Sequence, residues 1–169
     1  ATDVATDLNA VAYGGNRFAA VGAGGRVAYA VNASPLTWAS ATIAGTPNMN
    51  AVASTGSSYY LAVGDSGYVS TSSDAVNWAT AYSVSGSNLR SVVYVPSATS
   101  VATTPYWIAV GDAGTVLKSV DNGATWSPIS GLTQNLKSVA VMPVFDSNLL
   151  IASYTLVAAG PQGLVYSND

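Results

Sequence analysis

Three landmarks recur along this chain in the same order, and that rhythm limits the fold more than any other feature. The first is a run opened by a large aliphatic residue: Leu8-Asn-Ala-Val-Ala-Tyr13, Met49-Asn-Ala-Val-Ala-Ser54, Leu89-Arg-Ser-Val-Val-Tyr94 and Leu136-Lys-Ser-Val-Ala-Val141. Their starts lie 41, 40 and 47 residues apart. The second is a glycine turn: Val21-Gly-Ala-Gly-Gly25, Val63-Gly-Asp-Ser-Gly67, Val110-Gly-Asp-Ala-Gly114 and, more loosely, Ala159-Gly-Pro-Gln-Gly163. The third ends in tryptophan, at Trp38, Trp78 and Trp126, while the fourth copy runs to Ser167-Asn168-Asp169. Such a unit cannot bury its apolar face alone and must stack on its neighbours.

Each unit reads as four strands. In the second, the strands fall at Met49–Ser54, Tyr59–Val63, Tyr68–Ser72 and Trp78–Val84, with a tight turn at Gly64–Gly67. The runs are rich in Val, Tyr, Trp and Ala and are bounded by Gly, Asn, Asp and Ser. The first strands are nearly continuous apolar runs, as expected of strands buried on both faces. No segment has a helical period. Four-stranded units of this length predict an all-β fold, a β-propeller of four-stranded antiparallel blades, with about four blades in one domain over 1–169. The repeats span 8–48, 49–88, 89–135 and 136–169.

Residues Ala1–Asp7 stand where a preceding unit's fourth strand would be, and are expected to pair near Leu164–Ser167. Within one molecule that closes a four-bladed ring. Between molecules it gives a homo-oligomer by strand exchange. Membership of a larger propeller is the remaining alternative.

Composition removes several functions. Charged residues make up 8% against 49% hydrophobic, with a net charge of −3. The five cations (Arg17, Arg26, Arg90, Lys118 and Lys137) do not cluster. Nucleic acid and anionic membranes are therefore not expected partners. Without Cys or His there is no structural zinc, haem, iron–sulfur cluster, Ser-His-Asp triad or Cys-His dyad, and no cofactor is expected. No apolar run is long enough for a membrane-crossing helix. Polarity drawn from small hydroxyl residues, with few Lys and no Glu, points to an exported bacterial protein, extracellular or periplasmic. The opening residues carry no signal-peptide pattern, so the mature form or an excised piece is expected.

The segment Ser119-Val-Asp121-Asn-Gly123-Ala-Thr-Trp126 carries a Ser-x-Asp-x-Gly-x-x-Trp pattern that resembles the Asp-box, or BNR repeat. Ser72-Ser-Asp74-Ala-Val-Asn-Trp78 is one residue shorter, Asn32 through Trp38 is degenerate, and Ser167–Asp169 is a partial copy. The whole unit is similar to propellers of sialidases and of photosystem II assembly factors. In those families the resemblance implies corner turns between third and fourth strands, away from the usual binding face. Ser72, Asp74, Trp78, Ser119, Asp121, Gly123, Trp126 and Trp38 are then structural. A sialidase would need three clustered arginines and a Tyr assisted by Glu; this chain has three arginines at non-equivalent positions and no Glu.

Asp65 and Asp112 occupy the same turn in successive units and form the candidate ligand face. The pair could serve a glycoside hydrolase or hold Ca²⁺, or simply suit a tight hairpin. Tyr13, Tyr59, Tyr60, Tyr94, Tyr106, Trp107, Tyr154 and Tyr166 could stack on sugars as in a lectin, or pack the core. The stretches Pro96–Pro105 and Pro143–Asn148 lengthen first-to-second-strand loops and offer a partner surface. The expected function is a non-enzymatic exported binding or scaffolding module for protein partners. A glycan-binding lectin is the alternative, and a paired-Asp glycosidase the second.

Overall fold

The computed structural model describes residues 7–31, 37–79, 82–98, 103–129 and 131–168, with the backbone alone at 166 and 168. The expected closing strand Ala1–Asp7, apart from Asp7, lies outside the described residues, as do 32–36 before Trp38, 99–102 and Asp169.

Among the described residues, all regular structure apart from three short 3₁₀ turns is β-strand. The first sheet holds β1 (Leu8–Gly14), β2 (Arg17–Gly22), β3 (Arg26–Val31) and β4 (Trp38–Thr42). The second holds β5 (Met49–Ser54), β6 (Tyr60–Gly64), β7 (Tyr68–Ser72) and β8 (Tyr82–Ser83). The third holds β9 (Leu89–Val95), β10 (Tyr106–Gly111), β11 (Val116–Ser119) and β12 (Ser127–Pro128). The fourth holds β13 (Ser138–Phe145), β14 (Ile151–Gly160) and β15 (Gly163–Asn168). Each sheet is an open antiparallel meander in which strands neighbour their chain successors. The chain divides into two compact units, Ala1–Arg90 and Ser91–Asp169.

In the second and third sheets the strand buried throughout is not the first but the second. Every residue of β6 and of β10 is buried, whereas β1 and β5 alternate with exposed or half-buried positions. The reason is position: the first strand is an edge of its meander and the second is flanked on both sides. The first unit's core gathers Val21, Val27, Ile43, Met49, Val52 and Ala62. The second unit's core includes Ile108, Val110, Leu136, Val139 and Tyr154.

The fourth strands are shorter than the sequence suggests. Among its described residues, the run Trp78–Val84 supplies a bridge from Trp78 to Ser72 and the two-residue β8. Just before that run, the N–H groups of Val76 and Asn77 donate to the Asp74 carboxylate.

Two further expectations change in the fourth sheet. Gly160–Gly163 is a two-residue hairpin, while its counterparts Ala23–Gly25, Asp65–Gly67 and Asp112–Gly114 are three-residue 3₁₀ turns. Pro143–Asn148 is a loop only in its second half. Pro143–Phe145 extends β13 along β14 into a long hairpin with Pro143 opposite Tyr154, and Asp146–Asn148 lie in its turn. A proline is tolerated there because β13 is an edge strand. Asp146 closes the tip, its Oδ1 accepting the N–H of Asn148 at 2.8 Å and of Leu150 at 3.0 Å.

Candidate functional site

The tryptophan corners are built around a carboxylate. Asp121 Oδ1 accepts the Ser119 hydroxyl at 2.8 Å and the Thr125 N–H at 2.9 Å, and Oδ2 accepts the Thr125 hydroxyl at 2.5 Å. Ser119 Oγ in turn accepts the Gly123 N–H at 2.9 Å. The Trp126 indole N–H donates to the Gly123 carbonyl at 3.0 Å. The shorter corner does the same work with different spacing. Asp74 Oδ1 accepts the N–H of Val76 at 2.9 Å and of Asn77 at 2.7 Å, and Trp78 donates to the Ala75 carbonyl at 3.1 Å. Ala75 there takes the left-handed conformation at φ 63°, as Asn122 and Gly123 do at 57° and 87° in the longer corner. Trp38 lies against Phe18, ring centroids 6.1 Å apart.

These bonds set the charge state. The Thr125 hydroxyl and N–H, with the Ser119 hydroxyl, hold Asp121 down to about 2. At Asp74 partial desolvation pulls the other way, but the Asn77 and Val76 N–H groups, the Asn77 amide and the Ser72 hydroxyl outweigh it and also give about 2. Neither carboxyl has a proton to give near neutral pH, so neither suits a general acid.

Asp65 and Asp112 belong to different units. Each faces a cation from the start of the following repeat. Asp112 Oδ1 meets Lys137 Nζ at 2.7 Å. Asp65 Oδ1 accepts the Asn50 amide at 2.9 Å and faces Arg90 Nη1 at 3.5 Å, and its Oδ2 accepts the Asn48 amide at 3.3 Å.

A second set of residues, not singled out from the sequence, works at the same turns. The middle residue of each 3₁₀ turn is left-handed, with φ 62° at Gly24, 53° at Ser66 and 54° at Ala113. Its N–H is taken by the asparagine that closes the same repeat. Asn48 Oδ1 accepts Gly24 N–H at 3.0 Å, Asn88 accepts Ser66 N–H at 2.8 Å, and Asn135 accepts Ala113 N–H at 2.8 Å. The signal was an Asn directly before Met49, Leu89 and Leu136. Two residues further on, the Asn9 amide donates to the Met49 carbonyl and the Asn50 amide to the Leu89 carbonyl, both at 2.8 Å. The starts of successive repeats are thus hydrogen-bonded to each other.

The aromatic residues that might have stacked on sugars are mostly interior. Tyr60, Tyr106, Trp107 and Tyr154 are buried, Tyr59 and Tyr94 half-buried, and Tyr13 exposed. Tyr60 reaches the carbonyls of Gly14 and Arg17 with its hydroxyl, and burial pushes its pKa up. Tyr166 lies outside the described side chains. Apolar exposure is concentrated instead on the fourth sheet. Phe145 (55%), Leu149 (81%) and Leu150 (46%) surround the hairpin tip, Met142 (58%) lies along it, and Leu164 (72%) is on β15. Within the second unit a cleft of about 250 Å³ is walled by β10 and β11 on one side and β14 and β15 on the other. Among the described residues no group of three Asp, Glu, His or Cys is placed to hold a metal ion.

Fold and site together define an all-β protein of tandem antiparallel meanders, tied to one another by asparagines and carboxylates. Among solved structures it is similar to Sqt1 of Saccharomyces cerevisiae, with a TM-score of 0.65 and 12% identity over 96% of this chain and 45% of that one. The chain therefore spans about half the length of that protein, and at this identity the likeness is one of fold alone. No protein-family model and no curated protein matches the sequence.

Proposed function

We propose that the meanders are blades of a β-propeller with Asp-box corners, exported from a bacterium, that binds a protein partner and performs no catalysis. The observation that carries this reading is the β13–β14 hairpin. It projects Phe145, Leu149 and Leu150 at its tip on strands of 8 and 10 residues, the longest in the chain's described part. Exposed apolar side chains on a rigid two-stranded arm are a means of gripping a protein surface. They are poor at holding a hydroxylated sugar. The likeness of fold to Sqt1 supports the repeat architecture. Against a glycosidase stands the use of Asp65 and Asp112 in contacts with Arg90 and Lys137 of the following repeats.

Affinity capture from the source's secreted fraction tests it. The wild-type chain should retain a protein that a Phe145→Asp/Leu149→Asp variant, equally folded by circular dichroism, releases. Saturable binding to a glycan array with no hairpin-dependent protein partner would replace this reading with a lectin. Hydrolysis of a polysaccharide abolished by Asp112→Asn would replace it with an enzyme.

A further inference from the structure

The tryptophan corner of the third repeat contains the chain's one Asn-Gly pair, Asn122-Gly123. Asparagine followed by glycine is the pair most open to self-deamidation, because glycine has no side chain to hinder its own nitrogen from reaching the preceding amide. Asn122 is exposed, so water and hydroxide reach it. The second repeat has Ala75-Val76 at this place in its corner and carries no such pair.

The folded corner holds the pair in a geometry that cannot react. Asn122 and Gly123 are the central residues of a turn closed by the Ala124 N–H on the Asp121 carbonyl at 3.3 Å, and both are left-handed, at φ 57° and 87°. A left-handed residue has ψ near about +47°. Tetrahedral geometry at Cα then sets the next nitrogen nearly anti to Cβ, whereas closing a five-membered ring needs the two eclipsed. The Gly123 nitrogen is buried besides, and its hydrogen is held by Ser119 Oγ at 2.9 Å. Attack requires that hydrogen to leave and the turn to open.

We propose that Asn122-Gly123 is a self-modification site that the native corner keeps shut and that opening of the corner releases. Once the corner is open, the Gly123 nitrogen attacks Asn122 Cγ. The N–Cγ bond forms, the Cγ–Nδ2 bond breaks, and ammonia leaves with the proton from Gly123. Water then opens the succinimide at either carbonyl, leaving aspartate or isoaspartate with no change of oxidation state. Isoaspartate puts one more carbon into the main chain between Asp121 and Thr125. The spacing through which the Asp121 carboxylate takes the Thr125 N–H and hydroxyl is then lost. A corner so altered does not close again, and a transient opening becomes a permanent mark.

The test incubates the full chain at mildly alkaline pH, folded and in urea, and follows the tryptic peptide Ser119–Lys137 by mass spectrometry. Folded protein should convert at Asn122 at least about tenfold more slowly than the unfolded chain, since it reacts only through its open fraction. Ser119→Ala, still folded by circular dichroism, should react about threefold or more faster than wild type in buffer, and at the same rate in urea. Refolding is the second readout. Wild type should lose refolding yield with time in urea in step with isoaspartate, while Asn122→Gly, which accepts the left-handed turn, should keep it. If Ser119→Ala fails to fold, the ratio of folded to unfolded wild-type rates decides. Equal rates in the two states, or full refolding of chains bearing isoaspartate in place of Asn122, overturns the proposal.

Discussion

The side-chain oxygen of Asn135 accepts the backbone N–H of Ala113 at 2.8 Å, tying the last residue of the third repeat to that repeat's own glycine turn. Asn48 and Asn88 do the same for Gly24 and Ser66. Ala113 and Ser66 are non-glycine residues held left-handed, which costs about 1 kcal/mol each. The asparagine offsets that cost by satisfying an N–H that the turn turns away from its own ladder. Asn135→Ala should lower stability by about 1 kcal/mol. The check is a shift of the urea midpoint with an unchanged slope.

Gly64 has an extended backbone, φ −155°, so its need for glycine is not conformational. A methyl group there would overlap the carbonyl oxygen of Asn48, the same oxygen that accepts the Asp65 N–H at 3.0 Å. Gly64→Ala should therefore cost about 2–3 kcal/mol or prevent folding. Gly24→Ala is the contrast. That site is left-handed but faces open space, and its counterpart Ala113 already carries a methyl. Its cost should be about 1 kcal/mol. Thermal melts of the two variants separate crowding from backbone strain.

Asp74 and Asp121 are both held at about 2 when folded, against an ordinary carboxyl near 3.8. Between those values the unfolded chain binds more protons, so stability rises with pH there. The contribution should be fully present above pH ~4–5 and fade as pH falls toward 2. Asp121→Asn should lower the melting temperature at pH 7 and flatten its decline below pH 4. An identical acid profile for wild type and variant would contradict this account.

The Asp112–Lys137 pair at 2.7 Å is partly exposed, so its net worth is small, about 0–1 kcal/mol. Asp112→Asn should fold normally and bind any partner as wild type does. The exchange Asp112→Lys with Lys137→Asp should recover more stability than the sum of the single changes predicts. A double-mutant cycle by chemical denaturation measures that coupling.

The strand plan was legible because it is local. Each meander joins chain neighbours through short turns, so the runs at Met49–Ser54 and Tyr68–Ser72 could be placed from their own residues and the glycines between them. The corner pattern from Ser119 to Trp126 was legible for the same reason, since its hydrogen bonds span four residues or fewer. Where local reading failed, a neighbour had decided. Edge position left the apolar first strands half open, and Asp146 with the edge site of Pro143 turned an expected loop into a hairpin.

Sequence alone determined the repeat, its three landmarks and the chemistries that lack of His, Cys and Glu removes. Only the folded chain decided what the polar residues are for. Asp65 reads as a free carboxylate in a turn until Asn50 and Arg90 arrive from other strands, and the cleft beside Val165 exists only where two sheets of the second unit face each other. Hydrogen bonds and ion pairs fall off within a few ångströms. Residues 15 or 25 positions apart therefore acquire a shared purpose only when tertiary packing brings their atoms into range.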